Sequence, residues 1–208
     1  MRFRAVIFDL GGVVLDSPLH AIAAYERERR IPAGFVNRVV VDTGPQGAWS
    51  RLERGELSRR AFEAAFEAEC RVAGHVLSAA AMMERIATCG PRPQMLEALR
   101  TLRGAGLALA ALTNNWAHEG EGGAETDALR ELFDVFVESS RLGLRKPDPR
   151  IYRHVCEALA IEPAEAVFLD DIGRNLKAAR ELGMTTIKVD RPEPALAELA
   201  RHLDLALP

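Results

Sequence analysis

Polar residues that could handle a phosphate group stand where apolar runs of this sequence end. Asp9 follows one such run, Thr113 closes another, and the pair Asp170-Asp171 closes a third. Lys146 lies between the last two, in the segment RKPDPRIY. A carboxylate can attack phosphorus or hold a divalent cation, and a lysine or a hydroxyl can bind phosphoryl oxygens. The combination indicates phosphoryl transfer, with Asp9 as the nucleophile and Asp171 as a ligand of Mg²⁺.

The elements that must position these residues are short apolar runs, which we predict to be strands of one parallel sheet. The runs are continuous rather than alternating, as in strands that are buried on both faces. Helical patterns separate the later runs, so the sequence predicts an α/β fold with helices on both faces of the sheet. The predicted strands are FRAVIFDL (3–10), LALAALT (107–113), FDVFVES (133–139), AVFLDD (166–171) and TTIKVD (185–190), and the predicted helices between them are 91–103, 151–161 and 175–182.

The carboxyl ends of the predicted strands define where a ligand should bind. In open α/β sheets the ligand lies beyond those ends, at one edge of the sheet. Asp9, Thr113 and the pair Asp170-Asp171 all fall there, and Lys146 joins them if the helix after it begins at the same edge. We therefore expect these side chains to form one site.

The first crossover is too long for a single helix. Residues 11–106 separate the first two predicted strands, and a connection of that length has structure of its own. It contains no convincing strand pattern before residue 88, but it does contain several amphipathic helical stretches. These are 19–30, 34–41, 48–54, 60–73 and 76–87. The sequence therefore predicts a helical insertion directly after the first strand.

The composition excludes several classes of protein. The 208 residues carry a net charge of −3, which argues against a broad basic surface for nucleic acid. Cys70, Cys89 and Cys156 are an odd number of cysteines without zinc-ligand spacing, so they are read as small buried side chains in a reducing compartment. No apolar run reaches the length of a membrane span, and no leader sequence is recognisable. We expect a cytoplasmic protein with neither nucleic acid nor membrane as partner.

Four motifs in order resemble the haloacid-dehalogenase-like hydrolase superfamily. They are FDLGGVV, ALTNN, KPDPRIY and FLDDIGRNLKAARELGM, and together they span nearly the whole chain. RRIPAGF and GPQGAWSRLERGELS are similar to the helical-cap subclass that includes the N-terminal phosphatase-like domains of soluble epoxide hydrolase and of certain acyl-CoA dehydrogenase proteins. The resemblance implies a Rossmann-like core formed by 1–17 and 91–208. It also implies an all-helical cap, 18–90, that closes over the site and selects the substrate.

The same resemblance implies a role for each motif residue. Thr113 and Asn114 would bind the substrate, and Lys146 would supply a fixed positive charge beside the nucleophile. Asp170 would pair with Lys146, and Asn175 would contact the metal ligands without binding the metal itself. Mg²⁺ is the implied cofactor, the implied substrate is a small phosphorylated molecule, and the chain is expected to be a monomer or a homodimer.

Gly11 departs from the pattern of the family. Its phosphatases usually carry a second aspartate two residues after the nucleophile, which protonates the leaving alcohol and then activates water. The Gly11 carbonyl can still bind Mg²⁺, so a metal site made by Asp9, Gly11 and Asp171 remains. A well-placed general acid contributes roughly a hundred- to ten-thousand-fold to a rate. We therefore expect phosphatase activity that is low, or selective for leaving groups that need no proton.

Two other functions remain open on the sequence alone. A haloacid dehalogenase also attacks through an aspartate and needs no acid at position 11, but it has no use for Mg²⁺ and hence for Asp170-Asp171. A degenerate member could bind a phosphorylated ligand or a protein without turnover, although such a binder would not need the nucleophile Asp9. Magnesium dependence separates the phosphatase from the dehalogenase.

Some other features have simpler interpretations. Trp49 and Trp116 could line a substrate pocket, although core packing is the commoner role of tryptophan. The run YERERR (25–30) is predicted to be a solvated helix face, and GEGGAE (120–125) a flexible loop. Asp16 is predicted to lie at the hinge of the cap rather than to replace the missing acid.

Overall fold

The computed structural model describes residues 2–116 and 128–208. Its strands form one five-stranded sheet in the order β3-β2-β1-β4-β5. Every neighbouring pair is parallel, as predicted. The strands are β1 (Ala5–Phe8), β2 (Ala108–Thr113), β3 (Val135–Glu138), β4 (Ala166–Asp170) and β5 (Thr185–Lys188). The GEGGAE loop lies outside the described residues.

Helices cover both faces of the sheet, which confirms the predicted α/β fold. On one face, Val6, Phe8 and Leu109 pack with α6 (Pro93–Gly104) and α10 (Pro192–Leu203). On the other face, Ile7 and Leu112 pack with α8 (Pro149–Ala158) and α9 (Gly173–Glu181). A short helix, α7 (Ser139–Leu142), follows β3 directly. All four residues of β1 are buried, which explains the continuous apolar runs in the sequence.

Five helices lie between β1 and α6. They are α1 (Pro18–Arg29), α2 (Phe35–Thr43), α3 (Ala48–Glu53), α4 (Arg59–Val72) and α5 (Ala79–Ile86). Ser58 and Ser78 cap α4 and α5 by accepting hydrogen bonds from the backbone three residues on. The buried residues of this helical segment form an apolar cluster of their own, which includes Phe35, Phe62 and Phe66. The segment therefore has a separate core from the sheet.

Two linkers join the helical segment to the sheet, and they pair with each other. The outgoing linker joins the Gly11-Gly12 turn after β1 to the start of α1, and the returning linker joins the end of α5 to the start of α6. Asp16 donates its backbone N–H to Gly90, and Arg92 donates its backbone N–H to Val14, both at 2.9 Å. Leu15 forms an antiparallel bridge with Pro91 between these two bonds. The two crossings are thus adjacent, as in an insertion that is hinged at one place.

Two features differ from the sequence-based expectations. The run YERERR is not a uniformly solvated face, because Tyr25 and Glu26 are buried. The Glu26 carboxylate accepts the N–H groups of Gly34 and Val36 at the start of α2, at 2.7 and 2.8 Å, where a helix presents unpaired donors. A last helix, α10, follows β5, and its buried Leu196, Leu199 and Leu203 recur at helical spacing.

No helix among the described residues combines the length and the hydropathy that crossing a membrane requires.

Candidate active site

Asp9 lies immediately beyond β1, at the carboxyl end of the central strand. Its Oδ1 accepts a hydrogen bond from the backbone N–H of Leu10 at 2.7 Å and forms an ion pair with Lys146 Nζ at 2.9 Å. Within the described part of the chain, no donor reaches its second oxygen, Oδ2. The residue is 8% exposed. One carboxylate oxygen is therefore fixed, and the other is left for an incoming group.

Lys146 brings two carboxylates together. Its ammonium lies 2.9 Å from Asp9 Oδ1 and 2.7 Å from Asp170 Oδ2, and the side chain is fully buried. Its backbone is held by Asn114, whose Oδ1 accepts the Lys146 N–H at 2.8 Å and whose Nδ2 donates to the Lys146 carbonyl at 3.1 Å. Asn114 thus engages the Lys146 peptide with both ends of its amide. We attribute to it the positioning of Lys146, and direct contact with substrate stays a prediction.

The two adjacent aspartates after β4 have different surroundings. Asp170 is fully buried, and its oxygens accept from Lys146, from the Ile172 N–H at 2.7 Å and from Asn175 Nδ2 at 3.1 Å. Asp171 is partly exposed, and no other side chain in the described ranges donates to it. Asp170 is therefore saturated with donors, whereas Asp171 has oxygens free for a ligand.

The glycine pair after Asp9 leaves room for Asp171. Gly12 has φ +83°, and a Cβ at this position would lie 2.3 Å from Asp171 Oδ2. Only glycine fits here, because the conformation and the close approach both exclude a side chain. A Cβ on Gly11 would meet the Pro18 ring at 3.0 Å. The sequence raised the question of Gly11 but gave no indication of this role of Gly12.

Thr113 and Asn115 end the neighbouring strand and its loop. Thr113 is buried at the last position of β2, and its hydroxyl contacts no protein partner within the described ranges. Asn115 binds Glu138 at 2.8 Å and Ser140 at 3.0 Å through its amide. Asn115 thus ties two loops together, while the Thr113 hydroxyl remains free to donate.

The electrostatics of the cluster are unbalanced. Asp9, Asp170 and Asp171 offer oxygens that all lie within 4.8 Å of one another, beside the single ammonium of Lys146. Burial raises the pKa of Asp9 to about 8 against the opposing Lys146, and it raises the pKa of Asp171 to about 6. The pKa of Lys146 is also raised, because the two carboxylates outweigh its own burial. The lysine stays charged, and Asp9 and Asp171 hold their protons to higher pH than ordinary carboxyl groups.

A divalent cation fits this donor set. When all three carboxyl groups are ionised, they exceed the single ammonium by two negative charges, which Mg²⁺ would neutralise while it binds the hard oxygen ligands that it prefers. Asn175 Oδ1 is buried without a donor, beside a cluster where a metal would bring ordered water. Asp9 and Asp171 are the carboxylates with free oxygens and are thus the better candidates for ligands.

The helical segment contacts the sheet beside this cluster. Arg145, next to Lys146, pairs with Glu53 of α3 at 2.5 Å, and Glu53 Oε1 accepts from Trp49 Nε1 at 3.0 Å. The Trp49 ring packs edge-on against Trp116, which follows β2. Both tryptophans therefore join the segment to the sheet by packing. The sequence gave no signal for the pairing of Glu53 with Arg145.

The parallel sheet with helices on both faces places the chain among Rossmann-like α/β proteins. The family model of haloacid dehalogenase-like hydrolases matches residues 3–183. The chain belongs to this family.

Two relatives match almost the whole chain. It is 38% identical over 209 residues to acyl-CoA dehydrogenase family member 10 of Mus musculus. The aligned region covers 99% of this chain and 20% of that protein. It is 35% identical over 220 residues to bifunctional epoxide hydrolase 2 of Sus scrofa. The aligned region covers 97% of this chain and 39% of that protein. The chain thus spans 20% and 39% of the length of these two relatives.

Phosphatases and dehalogenases are both among the similar proteins. The chain is 28% identical over 182 residues to sesquiterpene phosphatase astK of Aspergillus oryzae, covering 88% of this chain and 87% of the other. It is 28% identical over 116 residues to (S)-2-haloacid dehalogenase 4A of Burkholderia cepacia, covering 54% and 50%.

Solved structures share the fold. A HAD-like family hydrolase from Porphyromonas gingivalis superimposes with a TM-score of 0.66 at 21% identity, covering 99% of this chain and 100% of the other. A wild-type HAD-family enzyme from Bacteroides thetaiotaomicron, in complex with magnesium and inorganic phosphate, superimposes with a TM-score of 0.60 at 21% identity, covering 93% and 98%.

Proposed function

We propose that the protein is a Mg²⁺-dependent phosphatase that acts through an aspartyl phosphate on Asp9. The observation that carries the proposal is the buried cluster in which Asp9, with one oxygen free, is held by Lys146 beside Asp171. The similarity to a phosphatase, and a fold shared with an enzyme solved with magnesium and phosphate, support it. Its substrate would be a small phosphate ester.

The proposed reaction has two steps. Asp9 Oδ2 attacks the phosphorus, the bond from phosphorus to the leaving oxygen breaks, and that oxygen keeps the electron pair. Water then attacks the phosphorus of the aspartyl phosphate, which releases phosphate and restores the carboxylate. Lys146 fixes the nucleophile and balances part of its charge, and the Thr113 hydroxyl donates to a phosphoryl oxygen. Mg²⁺, held by Asp9, Asp171 and the Gly11 carbonyl, would neutralise the charge on the phosphoryl oxygens.

Gly11 shapes which substrates would react. It provides no acid for the leaving oxygen in the first step and no base for water in the second. A leaving group that departs as a stable anion speeds only the first step, so the aspartyl phosphate accumulates. We infer a phosphatase that is slow with alkyl phosphates and that releases aryl leaving groups in a burst.

We also propose that residues 18–90 form the cap and that 1–17 with 91–208 form the core. The separate apolar cluster of the helical segment and the paired linkers on either side support this division. The contact between Glu53 and Arg145 lies next to Lys146, so the cap would close directly over the nucleophile. Gly55 also lets the helical segment lie close to the core, because a Cβ at this position would lie 2.3 Å from the Ser140 carbonyl oxygen.

A dehalogenase is the second candidate, because Gly11 lacks the acid that a phosphatase uses and a dehalogenase does not need. The similarity to a haloacid dehalogenase over 54% of the chain supports it. The three-carboxylate cluster counts against it, because an excess of negative charge repels a substrate carboxylate. Chloride release from (S)-2-chloropropionate tests this candidate.

The experiment measures hydrolysis of p-nitrophenyl phosphate and of a simple alkyl phosphate, with Mg²⁺ and with EDTA. We expect Mg²⁺-dependent release of nitrophenolate and alkyl hydrolysis that is slower by about a hundredfold or more. Asp9→Asn should abolish turnover, and Asp42→Asn, which changes an exposed carboxylate, should not. Absence of turnover on both esters would overturn the phosphatase, and phosphate binding without turnover would identify a degenerate binder.

Gly11→Asp sharpens the test, because it returns a carboxylate to the acid position. Its Cβ would meet Pro18 Cγ at 3.0 Å and Cδ at 3.1 Å, so the same change is also made together with Pro18→Ala. Pro18→Ala alone is the matched control. We expect the double variant to gain alkyl phosphatase activity relative to that control, and an unchanged ratio of alkyl to aryl rates would contradict the proposed effect of Gly11.

A further inference from the structure

Both polar groups of the Gly12 backbone are held by the linkers of the helical segment. Its N–H donates to the carbonyl of Asp16 in the outgoing linker at 3.2 Å. Its carbonyl accepts a hydrogen bond from Arg92 Nη1 of the returning linker at 2.9 Å. The turn after the proposed nucleophile is therefore anchored to both linkers at a single residue.

Arg92 connects this turn to the paired linkers. Its Nε lies 3.6 Å from Asp16 Oδ1, and its backbone N–H donates to Val14 at 2.9 Å. The Arg92 side chain is 15% exposed, whereas that of Asp16 is 67% exposed. The guanidinium is thus an enclosed group that touches the turn and the outgoing linker together, and a lysine could not reproduce that geometry.

The position of the turn matters for the metal ligands. A Cβ on Gly12 would lie 2.3 Å from Asp171 Oδ2, so the backbone here is packed directly against a proposed ligand. The preceding residue, Gly11, carries the carbonyl proposed as another ligand. A small displacement of Gly12 therefore changes the relation of two ligands to each other.

We propose that Arg92 is a positioning residue, which holds the Gly11-Gly12 turn against Asp171 and so couples the linkers of the helical segment to Mg²⁺ binding. The inference rests on the proposed Mg²⁺-dependent function. Within the described residues, the Arg92 side chain contacts the Gly12 carbonyl and Asp16 and donates to none of the proposed metal ligands. Movement of the helical segment at its linkers would act on the metal site through the hydrogen bond from Arg92 to the Gly12 carbonyl.

The test is calorimetric titration of Mg²⁺ into the EDTA-treated 208-residue protein, together with thermal unfolding of the same samples. Partners that orient metal ligands typically contribute about ten- to a hundredfold to metal affinity. We expect Arg92→Ala to raise the Kd for Mg²⁺ by about tenfold or more on that basis. Arg92→Lys, which keeps the charge and one donor, should raise it by a smaller factor. Arg100→Ala, an exposed position on the same helix α6, should leave it unchanged.

The outcomes separate the inference from the function beneath it. A lower unfolding temperature for Arg92→Ala with an unchanged Kd would show a merely structural role and would overturn the inference alone. Should Arg92→Ala fail to fold, Arg92→Lys decides by the same comparison with Arg100→Ala. A wild-type protein that binds no Mg²⁺ would overturn the proposed function and the inference together.

Discussion

Arg145 and Lys146 are neighbours in the chain, and each forms an ion pair on a different side of the same loop. Arg145 turns to the helical segment and pairs with Glu53, whose other oxygen accepts from Trp49. Lys146 turns to the sheet and contacts Asp9 and Asp170. The first pair matches one cation with one anion, and the second cluster matches one cation with three carboxylates.

The difference between the two regions distinguishes a structural contact from a site. The pair of Arg145 with Glu53 is complete, because each charged group has its partners within the protein. The cluster at Lys146 is incomplete, and burial, together with the neighbouring carboxylates, raises the pKa of Asp9 and of Asp171. Buried charge of one sign is costly unless a ligand balances it. We therefore interpret the second region as the place where a cation and a phosphate bind.

The largest expected effect comes from removing each cation in turn. Lys146→Met leaves the buried carboxylates of Asp9 and Asp170 without their cation, so we expect a loss of about 3–5 kcal/mol of unfolding free energy and of nearly all phosphatase activity. Arg145→Met should cost less, about 1–3 kcal/mol, because its pair is partly exposed to solvent. Urea unfolding and p-nitrophenyl phosphate hydrolysis measure the two effects. Equal losses for both variants would contradict the distinction.

A double-mutant cycle tests whether the contact between Glu53 and Arg145 is self-contained. Glu53→Gln and Arg145→Met each leave the other charge without its partner, whereas the double variant removes both charges. Removing both members of a buried pair is often neutral, so we expect the double variant to regain most of the stability lost in either single one. Additive losses in unfolding free energy would show that the pair is not a closed unit.

Two glycines provide a matched comparison of smaller size. Gly12 and Gly55 both have positive φ, and a Cβ at either would lie 2.3 Å from an oxygen, that of Asp171 or the backbone carbonyl of Ser140. We expect Gly12→Ala and Gly55→Ala each to cost about 1–3 kcal/mol of stability. Only Gly12→Ala should raise the Kd for Mg²⁺ in a calorimetric titration. A similar rise for Gly55→Ala would mean that the two regions are not separate.

The smallest expected effect is the pH dependence of stabilisation by Mg²⁺. In the metal-free protein, the pKa of Asp171 is raised from 3.8 to about 6 and that of Asp9 to about 8. The folded state therefore holds protons that the unfolded chain releases, and the stability from these groups is lost as pH rises from about 4 to 8. Mg²⁺ replaces those protons, so the rise in unfolding temperature on adding Mg²⁺ should be larger at pH 8 than at pH 5.

The comparison with and without Mg²⁺ isolates this effect from other groups. Asp148 and Glu56, whose pKa values are lowered by neighbouring arginines, act in the opposite direction but equally in both conditions. We expect a difference of a few degrees, since about 1 kcal/mol shifts the unfolding temperature by about 2–4 °C at this chain length. Asp171→Asn should weaken the pH dependence of the stabilisation by Mg²⁺. An unchanged pH dependence in this variant would show that it arises from groups other than Asp171.

The sheet was predictable because its strands are continuous apolar runs that end in polar residues. Asp9, Thr113 and Asp170 each close such a run, so their common edge follows from parallel topology alone. The contacts between distant residues were not predictable. The guanidinium of Arg92 contacts the Gly12 carbonyl although the whole helical segment separates the two residues in the sequence, and no local sequence pattern predicts this pairing.

Charged residues were the least reliable guide to burial. Glu26 stands in a run of charges that predicts a solvated face, yet it is buried because the start of α2 needs acceptors from another helix. Glu67 and Glu69 similarly accept backbone N–H groups of Ala79 and Ala48 at 2.8 Å. Helical periodicity locates such a residue but does not reveal which helix start it faces.

The most direct test of the account is to trap the aspartyl phosphate. The protein is mixed with p-nitrophenyl phosphate and Mg²⁺, quenched in acid and reduced with borohydride, which converts an aspartyl phosphate to homoserine. The tryptic peptide 5–27 contains both Asp9 and Asp16, so fragmentation distinguishes the proposed nucleophile from the nearby carboxylate of Asp16. We predict homoserine at position 9 alone, dependent on Mg²⁺. Homoserine at position 16, or hydrolysis without any trapped residue in this peptide, would contradict the proposal that Asp9 is the nucleophile.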